Sequence, residues 1–413
     1  MAKAKSRKGK TDHALLFIFI TVLLDILALG LIIPILPKLI LNFMGGDSSH
    51  AAEMVGLFAT IWALMQFFAS PIIGSLSDRF GRRPVILLSN LGTGIDYIVM
   101  ALAPTIGWLF GGRIVSGITT SSISTAFAYI ADSTTPQKRA AGFGLIGAAF
   151  SVGFVLGPTL GGILGDVDPR LPFWVAAGLS LTNFLYGFLV LPESLSKSRR
   201  VNFSWKNANP VGSLVLLKSH QELFGLAGIY FINMLVHVVL SSVFVLYALY
   251  RYHWDEHAVG YCLAWVGICT AVVQGGLVRP AVKRFGEKRA LYFGILMGMI
   301  GFAAYGWAPQ GLFFLSAVPI FAFWGFANSA TQSLMTKHVS HKEQGQLQGA
   351  NGSLRAIAEF VGPSLFTLTF AFCINPGHSW QLPGAPFYLA ALLMVFNGLW
   401  ALYALRGETK SVR

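Results

Sequence analysis

Apolar residues run on for about twenty positions at a time along this chain, and they do so twelve times. A helix of that length spans the roughly 30 Å hydrocarbon layer of a bilayer at about 1.5 Å per residue. Lipid offers no partner to exposed backbone groups, so such runs fold as helices that satisfy their own hydrogen bonds. They lie near 14–36, 55–75, 85–103, 107–131, 141–164, 171–191, 223–248, 259–279, 290–308, 311–336, 347–372 and 385–405. Hydrophobic residues make up 54% of the chain and charged residues only 11%, against about 25% charged in a soluble domain. The expected fold class is an all-α integral membrane protein of twelve transmembrane helices. The polar stretch 193–222, containing SKSRR and KNANP, divides it into an N-terminal six-helix bundle (1–192), a cytoplasmic linker and a C-terminal six-helix bundle (223–413).

The two halves carry matching landmarks. Phe80-Gly81 recurs as Phe285-Gly286 and Gly157-Pro158 recurs as Gly362-Pro363, both 205 positions later. Two landmarks sharing one offset imply a duplicated half, the internal symmetry from which many secondary transporters are built.

A formal net charge of +13 raises the possibility of a nucleic-acid partner. The placement of the charge argues against it. With the N-terminus inside, 25 of the 30 basic residues fall on one side, in the tail from Lys3 to Lys10, in 79–83, 138–139, 197–218, 279–289 and 337–342, and after 405. Only Lys38, Arg170 and Arg251 fall on the other side. This positive-inside asymmetry places both termini and the central loop in the cytoplasm, and nucleic acid is excluded as a partner. The basic start, MAKAKSRKGK, lacks a small-residue cleavage site after a short apolar core and is expected to lead into a retained first helix. Cys262, Cys269 and Cys373 lie in or near apolar segments without metal-ligand spacing, so no metal or other cofactor is expected. No phosphate-cradling GxxxxGK[ST] loop appears. Energy must then come from an ion gradient or from the substrate's own gradient.

The run GSLSDRFGRRP joins the second and third helices. Gly74 is expected to permit close helix packing and Gly81 a tight reversal, with Arg79, Arg82 and Arg83 at the anionic inner leaflet. Positive-inside bias explains the arginines but not Asp78 among paired glycines. The run resembles the signature loop of the major facilitator superfamily. That resemblance implies a cytoplasmic gate in which Asp78 works with Arg79, Arg82, Arg83, Asp132 and Arg139. The second copy has Lys283 where the first has Asp78, so gate chemistry differs between the halves.

Further stretches narrow the likeness. GRIVSGITTS resembles the family's fourth-helix arginine motif, and GAAFSVGFVLGPTLGG resembles the fifth-helix motif of drug/proton antiporters. In the latter, Gly147, Gly153, Gly157, Gly161 and Gly162 would let helices approach closely while Pro158 bends the segment. With LLDILALGLIIPILP, DYIVMALA, YIADSTTPQKRAAGFG and LQGANGSL, these stretches resemble the tetracycline-exporter branch of twelve-helix antiporters.

Ionisable groups within the spans are costly unless they face a cavity, which makes them functional candidates. They are Asp25, Asp96, Arg113, His237, Arg355 and Glu359. Asp25, Asp96 and Glu359 each sit eleven or twelve residues from the cytoplasmic start of an outward-running helix, so all three acids share one depth. The resemblance assigns Asp25 and Asp96 an influence on substrate and proton movement. Arg113 would pair with an acid or with backbone carbonyls. Gln274 aligns with a glutamine of the related exporters, either orienting a polar substrate or serving as a satisfied interhelical amide. Two departures stand out. The exporters' ninth-helix acid is replaced near Gly298, and their eighth-helix histidine has Thr270 as its nearest counterpart. Arg355 and Glu359, four apart on one helix face, form either a static bridge or a proton-carrying pair.

The expected function is secondary active transport by alternating access: outward movement of a small amphipathic organic molecule, such as a tetracycline-like drug, in exchange for protons. A transporter of a natural metabolite or siderophore is the near alternative and a non-transporting membrane sensor or scaffold the distant one. No enzyme constellation is visible. The protein is expected to act as a monomer in a bacterial inner membrane.

Overall fold

The computed structural model describes residues 2–120, 122–133, 139–203, 221–339, 344–379 and 381–405; within these, the side chains of 2–15, 122–124, 139–145, 221–222 and 344–346 lie outside the description. Among the described residues the elements are helices, with no strand. In chain order they are α1 (Ala2–Ile32), α2 (Ile35–Phe43), α3 (Ser48–Phe80), α4 (Arg82–Leu102), α5 (Ile106–Thr119), α6 (Ser122–Ser133), α7 (Arg139–Val167), α8 (Leu171–Val190), α9 (Gln221–Tyr252), α10 (Glu256–Val272), α11 (Val278–Phe285), α12 (Glu287–Trp307), α13 (Gly311–Ala322), α14 (Gly325–Lys337), α15 (Gln344–Ile374) and α16 (Ala385–Ala404). Eleven spans among the described residues are long and apolar enough to cross a membrane. The remaining apolar run, 107–131, appears as α5 followed by α6, each too short to span alone. The interruption falls in a run of hydroxyl residues. Thr119 Oγ1 donates back to the carbonyls of Val115 (3.1 Å) and Ser116 (3.3 Å), a local bond that loosens a helix end.

Other breaks have equally local causes. Pro34 lacks an N–H and separates α1 from α2. Pro319 in α13 cannot bond to the Leu315 carbonyl, and the indole of Trp265 takes that acceptor instead at 3.2 Å. Between α10 and α11 the chain widens into a π-turn, Val273–Leu277, that contains Gln274 and two glycines. The duplication reads directly in the backbone. Gly81 and Gly286, which start α4 and α12, have φ of 109° and 83° with ψ of 159° and 160°, a left-handed conformation that favours glycine. Pro158 and Pro363 likewise lie inside α7 and α15.

The chain forms two compact units, one of Met1–Leu39, Ile61–Asn209 and Glu256–Ala264, the other of Ile40–Thr60, Pro210–Asp255 and Trp265–Arg413. In unit 1 an apolar core gathers Ile18, Val22 and Ile26 of α1 with Ile86, Tyr129, Ile130 and Ile146. The α7 glycines fix how closely α1 lies. A Cβ on Gly157 would stand 2.7 Å from Gly30 Cα, one on Gly153 2.5 Å from Ile26, and one on Gly161 would meet the Leu31 carbonyl. Gly162 faces the Glu256 carbonyl, and Gly260 faces that of Pro158, so the start of α10 is held in the same unit. Two of the glycines expected to mediate close packing do not. Cβ atoms on Gly74 and Gly147 would have open space within 4 Å, because among the described residues no neighbour approaches those helix faces.

Unit 2 has an aromatic core. Tyr305 stacks on Phe314 with ring centroids 4.2 Å apart, Tyr247 meets Phe387 edge-on at 4.9 Å, and the Tyr247 hydroxyl donates to the Tyr305 carbonyl at 2.9 Å. The N-terminal part of α3, as far as Thr60, belongs to this unit. Gly56 lies against Thr367, Thr60 Oγ1 and Ser364 Oγ are 2.8 Å apart, and Ser49 Oγ donates to the Ala371 carbonyl at 3.1 Å.

Candidate functional site

In unit 1, the charges of Asp25, Asp96 and Arg113 all reach Tyr97, a buried α4 residue. Asp25 of α1 accepts a 2.8 Å hydrogen bond from Asn183 Nδ2 of α8, which also donates to the Thr21 carbonyl at 2.9 Å. Asn183 is fully buried, so α1 and α8 are tied through one amide that holds the carboxylate in place. Asp96 is 2% exposed on α4, facing Arg113 and the Ser116 hydroxyl of α5, yet neither carboxylate oxygen meets hydrogen-bond geometry. A Cβ on Gly112 would lie 3.0 Å from Asp96 Oδ1, so the glycine is what lets α5 come this near. Asp96 also floors a groove of about 600 Å³ lined by Thr105, Trp108, Gly111 and Val115. Arg113 lies within electrostatic reach of Asp96, but no ion pair or hydrogen bond closes between them. An unbonded buried acid beside a cation can gain or lose a proton at modest cost when its neighbours shift.

The second group lies in unit 2. Arg355 and Glu359 of α15 form the expected pair, Nε to Oε1 at 2.7 Å. Their charges act on His237 and Tyr230 of α9. His237 is exposed, although it stands midway along a span that is 67% buried. It therefore lines an opening rather than filling a core. Its ring stacks on the Trp324 indole, centroids 5.7 Å apart and planes 27° apart, and Trp324 Nε1 donates to Asn233 Oδ1 at 3.0 Å. Gln274, exposed in its π-turn, leans on Gly325, the residue after that tryptophan; a Cβ there would stand 3.0 Å from Gln274 Cγ. Gly298 explains why an acid is missing from the ninth span. A side chain there would begin 2.6 Å from Trp324 Cδ1 and 2.9 Å from Met394 Cε, so the indole fills that space.

The loop between α3 and α4 forms a third cluster. Arg82, nearly buried, reaches Asp78 Oδ1 through Nη2 (2.6 Å), Asp132 Oδ2 through Nε (3.0 Å) and Ser77 Oγ through Nη1 (2.6 Å). Three of the expected gate residues therefore meet on one guanidinium. Arg83 turns away to the Phe188 carbonyl at 2.6 Å, and Arg79 lies over the Phe80 ring at 5.1 Å. Neither reaches Asp78. The side chain of Arg139, the first residue of α7, lies outside the described residues.

Sequence reasoning missed Glu193. Its carboxylate accepts the backbone N–H groups of Arg82 (2.9 Å) and Arg83 (3.3 Å), capping α4 where Gly81 has no side chain to offer. Arg200 approaches the same carboxylate at 4.0 Å, Arg199 approaches Asp132 at 3.8 Å, and Val201 N donates to the Asp78 carbonyl at 3.2 Å. The only signal was an acid directly after Pro192 at a helix end. Asn183, Asn233 and Trp324 were missed too, because single polar or aromatic residues in apolar runs carry no pattern. Among the described residues no group of three His, Cys, Asp or Glu side chains is placed to hold a metal ion.

Comparison with known proteins places this architecture. The family model of the Major Facilitator Superfamily matches residues 18–363. The tetracycline resistance protein, class C, of Escherichia coli is 37% identical over 394 residues, covering 95% of this chain and 98% of its own. The class G protein of Vibrio anguillarum is 34% identical over 373 residues, covering 89% and 93%. Among solved structures the human organic anion transporter MFSD10 shares the fold with a TM-score of 0.70 at 23% identity, covering 95% of this chain and 99% of its own. The nucleoside transporter NupG does so with a TM-score of 0.76 at 13% identity, covering 95% and 99%. With its duplicated halves, its membrane spans and a family match over most of its length, the chain belongs to the major facilitator superfamily and is an integral membrane transporter rather than an enzyme.

Proposed function

We propose that the protein exports small amphipathic organic molecules, tetracycline-like drugs foremost, in exchange for protons. The observation that carries this reading is the 37% identity to a tetracycline resistance protein along nearly the full length of both chains. The two halves, 1–192 and 223–413, would rock about the linker 193–222 to expose the substrate alternately to each side of a bacterial inner membrane, with both termini in the cytoplasm and a single copy as the working unit. Asp25, Asp96 and Glu359 supply groups able to hold and release protons, while Arg113 and Arg355 set how readily they do so. His237 and Gln274 contribute surface to the substrate, and the Asp78–Arg82–Asp132 cluster governs the cytoplasmic gate. The reading is tested in everted membrane vesicles. An acid interior should drive tetracycline accumulation that a protonophore abolishes. Accumulation indifferent to the pH gradient, or none at all, overturns it.

A further inference from the structure

His237 is exposed in the middle of the most deeply packed span of unit 2, and its ring stacks, offset, on Trp324. An imidazole backed by an indole is a rigid flat wall. Trp324 is held from two further sides, by its hydrogen bond to Asn233 and by α12, where Gly298 leaves room for it. Arg355, whose charge reaches His237, has a side chain that is 61% exposed. It spends only Nε on Glu359; among the described residues its terminal nitrogens bond to nothing. Those two nitrogens form the edge of a guanidinium that matches a carboxylate or enolate with two parallel hydrogen bonds. Gly352, about one turn earlier on α15, has open space among the described residues where a Cβ would stand.

We propose that unit 2 holds a subsite for a planar aromatic ring bearing an anionic oxygen group, the ring stacked on His237 and the anion seated on Arg355. The subsite deepens the export reading, since it names what such a site selects. It assigns Trp324 and Asn233 a positioning role: they hold the His237 ring flat and do not touch the ligand. Glu359 keeps Arg355 oriented through Nε while leaving its outer edge to the anion.

The test reads binding directly, so it is independent of whether tetracycline is transported. Purified protein in detergent is titrated calorimetrically with 2-naphthoate, with 2-naphthamide (same ring, no charge) and with decahydro-2-naphthoate (same charge, no flat ring). Naphthoate should bind about tenfold more tightly than either analogue, the range expected for a lost bidentate contact or a lost stack. His237→Leu should abolish the preference for the flat ring while His237→Phe keeps it. Arg355→Gln should abolish the preference for the acid over the amide and leave the ring preference intact. Trp324 is central enough that its removal risks the fold, so Asn233→Leu reports on positioning: the flat-ring preference should fall about threefold. Equal binding of the three compounds to the unaltered protein, or unchanged preferences in His237→Leu or Arg355→Gln, overturns the proposal. Absence of tetracycline transport alongside the expected naphthoate pattern would overturn only the drug reading.

Discussion

At the scale of single residues, Gly298 marks a place in the ninth span that cannot take an acid, whereas Glu359 supplies one on α15. An acid at 298 has no room. Gly298→Asp should destabilise the protein by roughly 1–3 kcal/mol through overpacking against Trp324, read as a lower thermal midpoint in detergent. Combining it with Trp324→Ala should return much of that loss, a non-additivity that marks direct contact. Proton exchange then needs another carrier, and Glu359 is half-buried and, among the described residues, pairs with one cation, Arg355. Glu359→Gln should leave downhill substrate exchange in proteoliposomes running while pH-gradient-driven accumulation disappears. Retained accumulation at the normal rate would make Glu359 a static partner of Arg355 and return the role to Asp25 or Asp96. The sequence made the Arg355–Glu359 pair legible because spacing on one helix decides it. It could not disclose Asn183 on Asp25 or Trp324 over Gly298, because those contacts join residues 158 and 26 positions apart.

At the scale of elements, the glycines of α7 divide into those that bring helices together and those that do not. Gly153, Gly157 and Gly161 recur every four residues and face α1, where even a methyl group would strike backbone or an aliphatic branch. Gly147, on a different face and a turn and a half earlier, has no such neighbour. The motif as read from sequence treated all of them alike, since glycine spacing does not say which face meets a partner. Gly157→Leu should therefore cost upwards of ~2 kcal/mol of stability by prising α1 from α7. Gly147→Leu should stay within about 0.5 kcal/mol, as for other open positions. Thermal unfolding of both variants measures the contrast, and a similar loss in each would show that Gly147 is closely packed after all. Helix boundaries follow the same logic. Eleven of the twelve apolar runs fall on helices long enough to span, but α3 extends beyond the expected 55–75 at both ends, since its polar ends continue the hydrogen-bond ladder after the lipid-facing pattern has stopped.

At the scale of the whole molecule, α10 is the element that both compact units share: Glu256–Ala264 belongs to unit 1 and its continuation from Trp265 to unit 2. What fastens its first turn is a buried ion pair. Glu256 is 3% exposed and pairs with Lys38 of α2, while His257 approaches Asp166 of α7 at 3.9 Å. Lys38 is one of the few cations that the charge asymmetry assigns to the outer side, and no local pattern calls for it there. Its partner lies 218 positions away, beyond the reach of any local pattern. Removing one member of a buried pair strands the other, whereas replacing both with apolar groups of similar size leaves no such penalty. Lys38→Met alone should thus cost up to ~3 kcal/mol, less than for a fully buried pair because Lys38 is about one-third exposed. Lys38→Met combined with Glu256→Leu should restore the thermal midpoint. Transport then separates two roles. If the pair only stabilises the fold, the double variant transports normally. If the pair instead breaks and reforms in each transport cycle, the double variant will be as stable as the original and yet show an altered transport rate, with a changed reactivity of an engineered cysteine at the exposed position 261 toward small polar thiol reagents. Recovery of stability with unchanged rate and unchanged cysteine reactivity would assign the pair to folding alone.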